Sequence, residues 1–249
     1  MLIAAALVCA AATPVVAIAA EPAVARATRD PLGPVNRLLF GFNAKVLDPF
    51  IVRPLVRGYR AVTPAVVRKG LRNAVGNLRE PATAANALLQ ARPAVAARAT
   101  GRFLINSTVG LGGLFDVAGK GGVPQEPADF GQTLGRWGVG HGPYLYLPVI
   151  GPTTVRDGVG GLVGYAADPV SLATGGVDTD FAQARAIARG VEARSEADGL
   201  LTSVMTDSTD PYATVRGAYL QTRAAAVATA RGEAEDLPDF DEPPAEELN

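Results

Sequence analysis

The amino-acid sequence predicts a mainly α-helical protein, with little or no β structure and a glycine-rich loop or hinge segment in its middle. Three observations lead there. Apolar residues recur at helical spacing on both sides of the middle, and prolines stand where those runs begin or end. From Gly110 to Gly164, glycine and proline become dense while helical periodicity fades over much of the stretch. With 249 residues, 48% of them apolar, the chain is long enough to bury a sizeable core.

Met1 to Ala20 are uncharged and almost wholly apolar, and they end in Ala17-Ile18-Ala19, a small-x-small pattern of the kind signal peptidase cuts. Residues 1–20 therefore read as a secretory signal peptide and 21–30 as a linker. A retained membrane anchor is the other reading of such a run, opposed by its alanine content and by Pro14. No basic residue precedes the run, and Cys9 follows Ala6-Leu7-Val8, a poor match to a lipid-attachment box.

A helical domain over 31–232 follows. Val35, Leu38, Leu39, Phe42 and Val46 form the apolar stripe of a first helix, closed by Pro49, with Asn36 and Asn43 as an amide stripe on its other side. Thr63-Pro64 reads as an N-cap and first turn, and Val67, Leu71, Val75 and Leu78 stripe the helix after it. Its remaining surface carries Arg68 with Arg72 and Asn73 with Asn77, four residues apart. Pro81 and Pro93 punctuate helical stretches over 82–91 and 94–108. In the loop-rich middle, Tyr144 to Pro148 alternates as a short extended piece would. Helix resumes near Thr153, where Gly160 and Gly164 make a GxxxG pair. A long helix over about 179–205 and another from Asp210-Pro211, with Tyr212, Val215 and Tyr219 on one side, complete the domain.

The net charge of −1 conceals polarity along the chain. Arg26 to Arg102 contains 14 basic residues against three acidic ones, whereas Glu233 to Asn249 contains eight acids and no base. The basic part suits an anionic membrane surface, and the tail over 233–249 reads as disordered and acidic.

Catalytic and metal-binding patterns are thin. His141 is the only histidine and Cys9 the only cysteine, so no disulfide framework, paired-histidine metal site or cysteine cluster can form. No G-x-S-x-G elbow accompanies His141. Gly113 to Lys120 misses the phosphate-loop spacing by one residue, and Gly121 stands where a magnesium-binding Ser or Thr belongs. Asp178 with Asp180 reads as a helix start. No catalytic residue, metal or cofactor is expected.

Asn36-Arg37-Leu38-Leu39-Phe40-Gly41-Phe42-Asn43, Val46-Leu47-Asp48-Pro49, Arg53-Pro54, Asn73 to Pro81, Arg102 to Gly110, Gly112 to Ala118 and Phe130 to Tyr144 follow one another in order. With Leu147-Pro148, Gly151-Pro152, Arg156-Asp157 and Asp210-Pro211-Tyr212 they cover roughly residues 30–223. In this series the chain resembles the MlaA/VacJ family. The resemblance implies a ring-like helical bundle in the inner leaflet of the bacterial outer membrane, commonly beside a trimeric porin. A polar channel through the ring would let mislocalised phospholipids leave the outer leaflet for a periplasmic phospholipid carrier protein, maintaining lipid asymmetry. No bond is made or broken, so the protein would not be an enzyme, and nucleic acid is no partner. The family's usual lipid-modified cysteine is missing, which leaves the ring itself as the membrane-holding element.

Under that resemblance the channel-lining candidates are Asn43, Asp48, Asn73, Asn77, Glu80, Asn106 and Asp116, with Arg53 and Arg72 as lipid-phosphate partners. Gly135, Gly138, Gly140 and Gly142 are hinge candidates. Caps and internal hydrogen bonds are the competing use of such asparagines and carboxylates. Two rival functions remain: a soluble periplasmic lipid-binding carrier, which fractionation would separate from an outer-membrane channel, and a phospholipid hydrolase, which would need His141 as its base.

Overall fold

In the computed structural model, which describes residues 30–176 and 179–233, the helical expectation holds and β structure is confined to one hairpin. The signal peptide, most of the linker, Asp178 and all but the first residue of the acidic tail lie outside the described residues.

The first helical run does not stop at Pro49. Helix α1 (Gly33–Phe42) passes into a π-helical segment (Asn43–Val52) and then into α2 (Arg53–Val62). Proline has no N–H for the ordinary ladder. The wider π turn, in which the Arg53 N–H reaches back five residues to the Asp48 carbonyl, carries the chain past it. Helix α3 (Ala65–Asn77) follows without a side-chain cap; the Thr63 carbonyl instead accepts from the Arg68 guanidinium.

Helices α4 (Glu80–Leu89) and α5 (Pro93–Thr108) form an antiparallel pair, and α6 (Val117–Lys120) is a single turn capped by Asp116. The Phe130 block begins as helix α7 (Phe130–Arg136), capped by Asp129, where the glycine density argued for loop. Strands β1 (Tyr144–Leu147) and β2 (Gly151–Thr154) pair antiparallel, Tyr144 opposite Thr154. The rest is α8 (Val155–Ala166), α9 (Pro169–Ala173), α10 (Asp180–Asp207) and α11 (Pro211–Arg231), which ends on the left-handed Gly232.

Neighbour relations close a circuit. Helices α2 and α3 meet α10, α10 meets α11, α11 meets α7 and β2, and β1 returns to α1. On the other side, α3 meets α5, α5 pairs with α4, and α4 meets α7.

Two asparagines dock the first helix on the hairpin. The Asn36 amide, 1% exposed, donates to the Tyr144 carbonyl (2.9 Å) and accepts from the Tyr146 N–H (3.0 Å), as a neighbouring strand would. Asn43 donates to Tyr146 Oη (3.1 Å) and accepts from the N–H of Val149, which occupies the left-handed region at φ 70°. Around this joint Phe40, Tyr144, Tyr146, Tyr212 and Tyr219 pack edge to face. Removing the Asn36 amide leaves a buried carbonyl and a buried N–H without partners, at about 1–3 kcal/mol each. Asn36→Ala is therefore expected to lower stability by roughly 2–5 kcal/mol in denaturant titration of the detergent-solubilised protein, against little change for the exposed Leu38→Ala.

Candidate functional site

The distribution of polarity is inverted. Among the described residues, no leucine, isoleucine, phenylalanine, methionine or tryptophan is buried, and the largest fully buried side chains are Gln90, Glu80 and Asn36. Large apolar side chains stand exposed along the outside instead: Leu38 on α1, Phe50 (74% exposed) on the π segment, Val66 (81%) on α3, Leu104 on α5 and Leu162 on α8. Helix α11 contributes none. Extensive exposed apolar surface is the mark of a membrane- or partner-facing face. No helix among the described residues is long and apolar enough to cross a membrane.

A half-open cavity of about 350 Å³ is bordered by α4, α7, α8, α9, α10, α11 and the hairpin. One guanidinium organises it. Arg223 on α11 donates to both oxygens of Asp129, the α7 cap (2.7 and 2.9 Å), and to both oxygens of Asp157 in the first turn of α8 (3.0 and 3.1 Å). Tyr219 and Arg156 complete the Asp157 shell at 2.8 and 2.9 Å. Burial opposes the Asp157 charge, but Arg223, Arg156 and Tyr219 outweigh it and hold the pKa at about 2. Asp129 is likewise lowered, burial again yielding to Arg223. Deeper in the wall, Arg185 on α10 binds Asp168, the α9 cap, and Ser171 Oγ (2.7 Å). Gln90 joins α4 to α7 through Thr133 (3.0 Å), which donates to Asn86 (3.0 Å).

None of the sequence-derived lining candidates borders this cavity. Asn77, Glu80, Asn106 and Asp116 gather in a separate polar cluster between α3, α4, α5 and α6. There Arg102 donates to Glu80 (2.8 Å) and Asp116 (3.1 Å), Asn106 donates to Asp116 (3.0 Å), and Asn77 donates to Ser107 (2.8 Å). Burial raises the Glu80 pKa against the pull of Arg102. Asn73 donates to the Leu114 carbonyl (3.0 Å), and Asn43 holds the hairpin. Asp48 accepts from Arg194 of α10 (2.7 Å) and pairs with Arg53 (2.7 Å), while Arg72 pairs with Glu196. Both phosphate candidates thus face carboxylates of the same chain.

The four hinge candidates differ in kind. Gly135 is a packing point, since a Cβ there would lie 2.6 Å from the Val227 side chain. Gly138 (φ 91°) and Gly142 (φ 66°) hold left-handed backbone, and Gly140 has open space around it. Gly160, half of the GxxxG pair, lets α8 touch α7, because a Cβ there would meet the Gly131 backbone at 2.5 Å.

The family model of the MlaA lipoprotein matches residues 28–226. The chain belongs to the MlaA lipoprotein family. Relatives include the intermembrane phospholipid transport system lipoprotein MlaA of Escherichia coli K12 and that of Shigella flexneri, each 40% identical over 77% of this chain and 76% of the relative. An uncharacterised protein of Rickettsia felis is 41% identical over 80% and 78%. A structure solved in work on the structural basis for maintenance of bacterial outer membrane lipid asymmetry superposes with a TM-score of 0.70 at 38% identity. It covers 80% of this chain and 99% of that one.

In this MlaA family member, sequence reasoning missed the cavity arginines and their carboxylates. Arg156-Asp157 stood among the resemblance motifs and Asp129 directly precedes the Phe130 block, but nothing along the chain connects either to Arg223, 66 residues beyond Asp157. A folded pKa of about 2 against the usual 3.8 means that the Asp157 contribution is present above pH 4 and lost as pH falls through 2, and it amounts to about 2 kcal/mol. Chemical denaturation of the full chain in detergent should show Asp157→Asn less stable by at least that amount at pH 7, with a flatter profile between pH 4 and 2 than the native protein.

Proposed function

We propose that this chain is an outer-membrane phospholipid passage. It removes mislocalised phospholipid from the outer leaflet and releases it towards the periplasm, keeping the membrane asymmetric. The observation that carries the reading is the inverted polarity: an apolar skin around a paired polar interior that holds a cavity. The names of the relatives support it, being lipoproteins of an intermembrane phospholipid transport system.

The physics follows from that arrangement. A headgroup left unpaired in hydrocarbon costs several kcal/mol, so it moves through the wet interior while its chains stay in contact with the apolar skin. No spanning helix is needed if the protein sits in one leaflet, and the periplasmic leaflet is where we place it, exported by its signal peptide. A trimeric porin alongside and a soluble carrier below would supply lateral support and onward transfer. The polar cluster of Asn77, Glu80, Asn106 and Asp116 and the Asp48 pairings serve as struts that keep the wall rigid. Gly138 and Gly142 let the segment before the hairpin shift at the rim. Transfer is passive and breaks no bond. A soluble carrier, by contrast, encloses acyl chains in an apolar pocket, whereas the large apolar side chains here point outward.

In cells lacking the endogenous protein, the chain is expected to fractionate with the outer membrane, co-purify with a porin, and return outer-leaflet phospholipid to normal. His141→Ala and Gly140→Ala should do the same, and Gly138→Ala, strained at φ 91°, should clear lipid less well at equal protein level. Recovery in the soluble periplasm with bound lipid would favour the carrier, and loss of clearance in His141→Ala would favour the hydrolase.

A further inference from the structure

The charges at the border of the cavity are committed to one another. Among the described residues its three carboxylates all stand in ion pairs, Asp129 and Asp157 with Arg223 and Asp168 with Arg185. Arg79, in the field of Asp129 and Glu80, and Arg189 have partners as well. A ligand that drew one member out of a buried pair would leave the other charged and alone, a loss that its own contact does not offset. An entering group therefore meets a polar wall whose charges are already spoken for.

What distinguishes this wall is a missing side chain. Helix α8 brings Gly160 and Gly164 to the border, about one turn apart. Gly160 is explained by packing, through its contact with the Gly131 backbone. Gly164 is not, because a Cβ there would meet no atom within 4 Å. Its backbone is ordinary helix without positive φ, where glycine weakens the fold. The cavity it borders, about 350 Å³, is at the small end of ligand-sized pockets, so a single added side chain takes a large share of the room. Leu89 and Val163 border the same space and belong to the exposed apolar skin, which gives acyl chains a way out beside it.

We propose that this cavity admits phospholipid by headgroup size and not by headgroup charge, with the bare Gly164 setting the size. The proposal rests on the phospholipid-passage reading and adds to it the class of lipid that passes: small headgroups, zwitterionic and anionic alike. Paired charges give neither kind an advantage, and a headgroup enlarged by a sugar is turned back for want of room.

The test places the only thiol of the chain at this point. Gly164→Cys, in a Cys9→Ser background, is prepared in uncharged detergent, and its rates with methanethiosulfonate reagents are compared with those of free 2-mercaptoethanol. The ratio of the anionic sulfonatoethyl rate to the cationic trimethylammonioethyl rate should match that of the free thiol within about threefold, whereas an unpaired charge nearby would shift it by about tenfold or more. Relative to the same free thiol, a biotin-bearing reagent should lag the small methyl reagent by about tenfold. A shifted charge ratio would overturn charge indifference, and unhindered reaction of the biotin reagent would overturn the size limit. In cells, Gly164→Phe should abolish clearance of outer-leaflet phospholipid, and Gly199→Phe, on exposed α10 surface away from the cavity, should keep it. If circular dichroism shows Gly164→Phe unfolded, the thiol rates decide. Clearance by the native chain and by folded Gly164→Phe alike would reject the size limit alone, whereas failure of the native chain to clear lipid would reject the passage reading beneath it.

Discussion

A single guanidinium shared by two aspartates ties the polar interior together. Arg223 reaches from α11 to the cap of α7 and the first turn of α8, so one side chain fixes the relative placement of three helices that the backbone brings together from distant parts of the chain. Such a clamp is costly to desolvate and worth having only if every donor finds an oxygen. Here Arg223 directs four hydrogen bonds to carboxylate oxygens, and Tyr219 and Arg156 take up further Asp157 acceptor sites. A glycine contact finishes the joint: Gly160 on Gly131 brings α8 against α7 at a distance no side chain would allow.

Because the interior is held by charge pairs, the large apolar side chains are released to the outside. The buried apolar groups are small or aromatic: alanines, a few valines, and the tyrosines beneath the hairpin. Such a core is slight for a chain of this length. In the proposed setting, acyl chains would accept the exposed Leu38, Phe50, Val66 and Leu104 without cost. Under the proposed passage, one inversion serves both ends: apolar side chains outside to face lipid, and a polar space inside for a headgroup.

Much of this was legible in the sequence and some was not, for reasons that separate by distance along the chain. Helices over 65–77, 80–89, 93–108 and 180–207 follow from local periodicity and proline placement, and the Tyr144 alternation marks β1. Pro49 misled because the rule that proline ends a helix assumes the α ladder, and a π turn sidesteps it. The glycines before Arg136 suggested loop although two of them, Gly131 and Gly135, are helix contacts. The amide stripe of Asn36 and Asn43 was visible, but its use, clipping a helix to a strand edge more than a hundred residues away, was not. The joining of Arg223 to Asp129 and Asp157 was invisible for the same reason: periodicity reports which face is polar and says nothing of which partner waits there.

Where the apolar skin resides decides whether the chain works in a bilayer. With Trp137→Phe as background, a tryptophan placed in turn by Phe50→Trp, Val66→Trp, Leu104→Trp and, on the polar α11, Ala224→Trp can be exposed to vesicles carrying brominated acyl chains. Strong quenching at the first three sites and little at the fourth is the predicted pattern. If all four instead report water, with the protein folded and free of the vesicles, the apolar exterior is not a membrane-facing surface and the passage has no bilayer to serve.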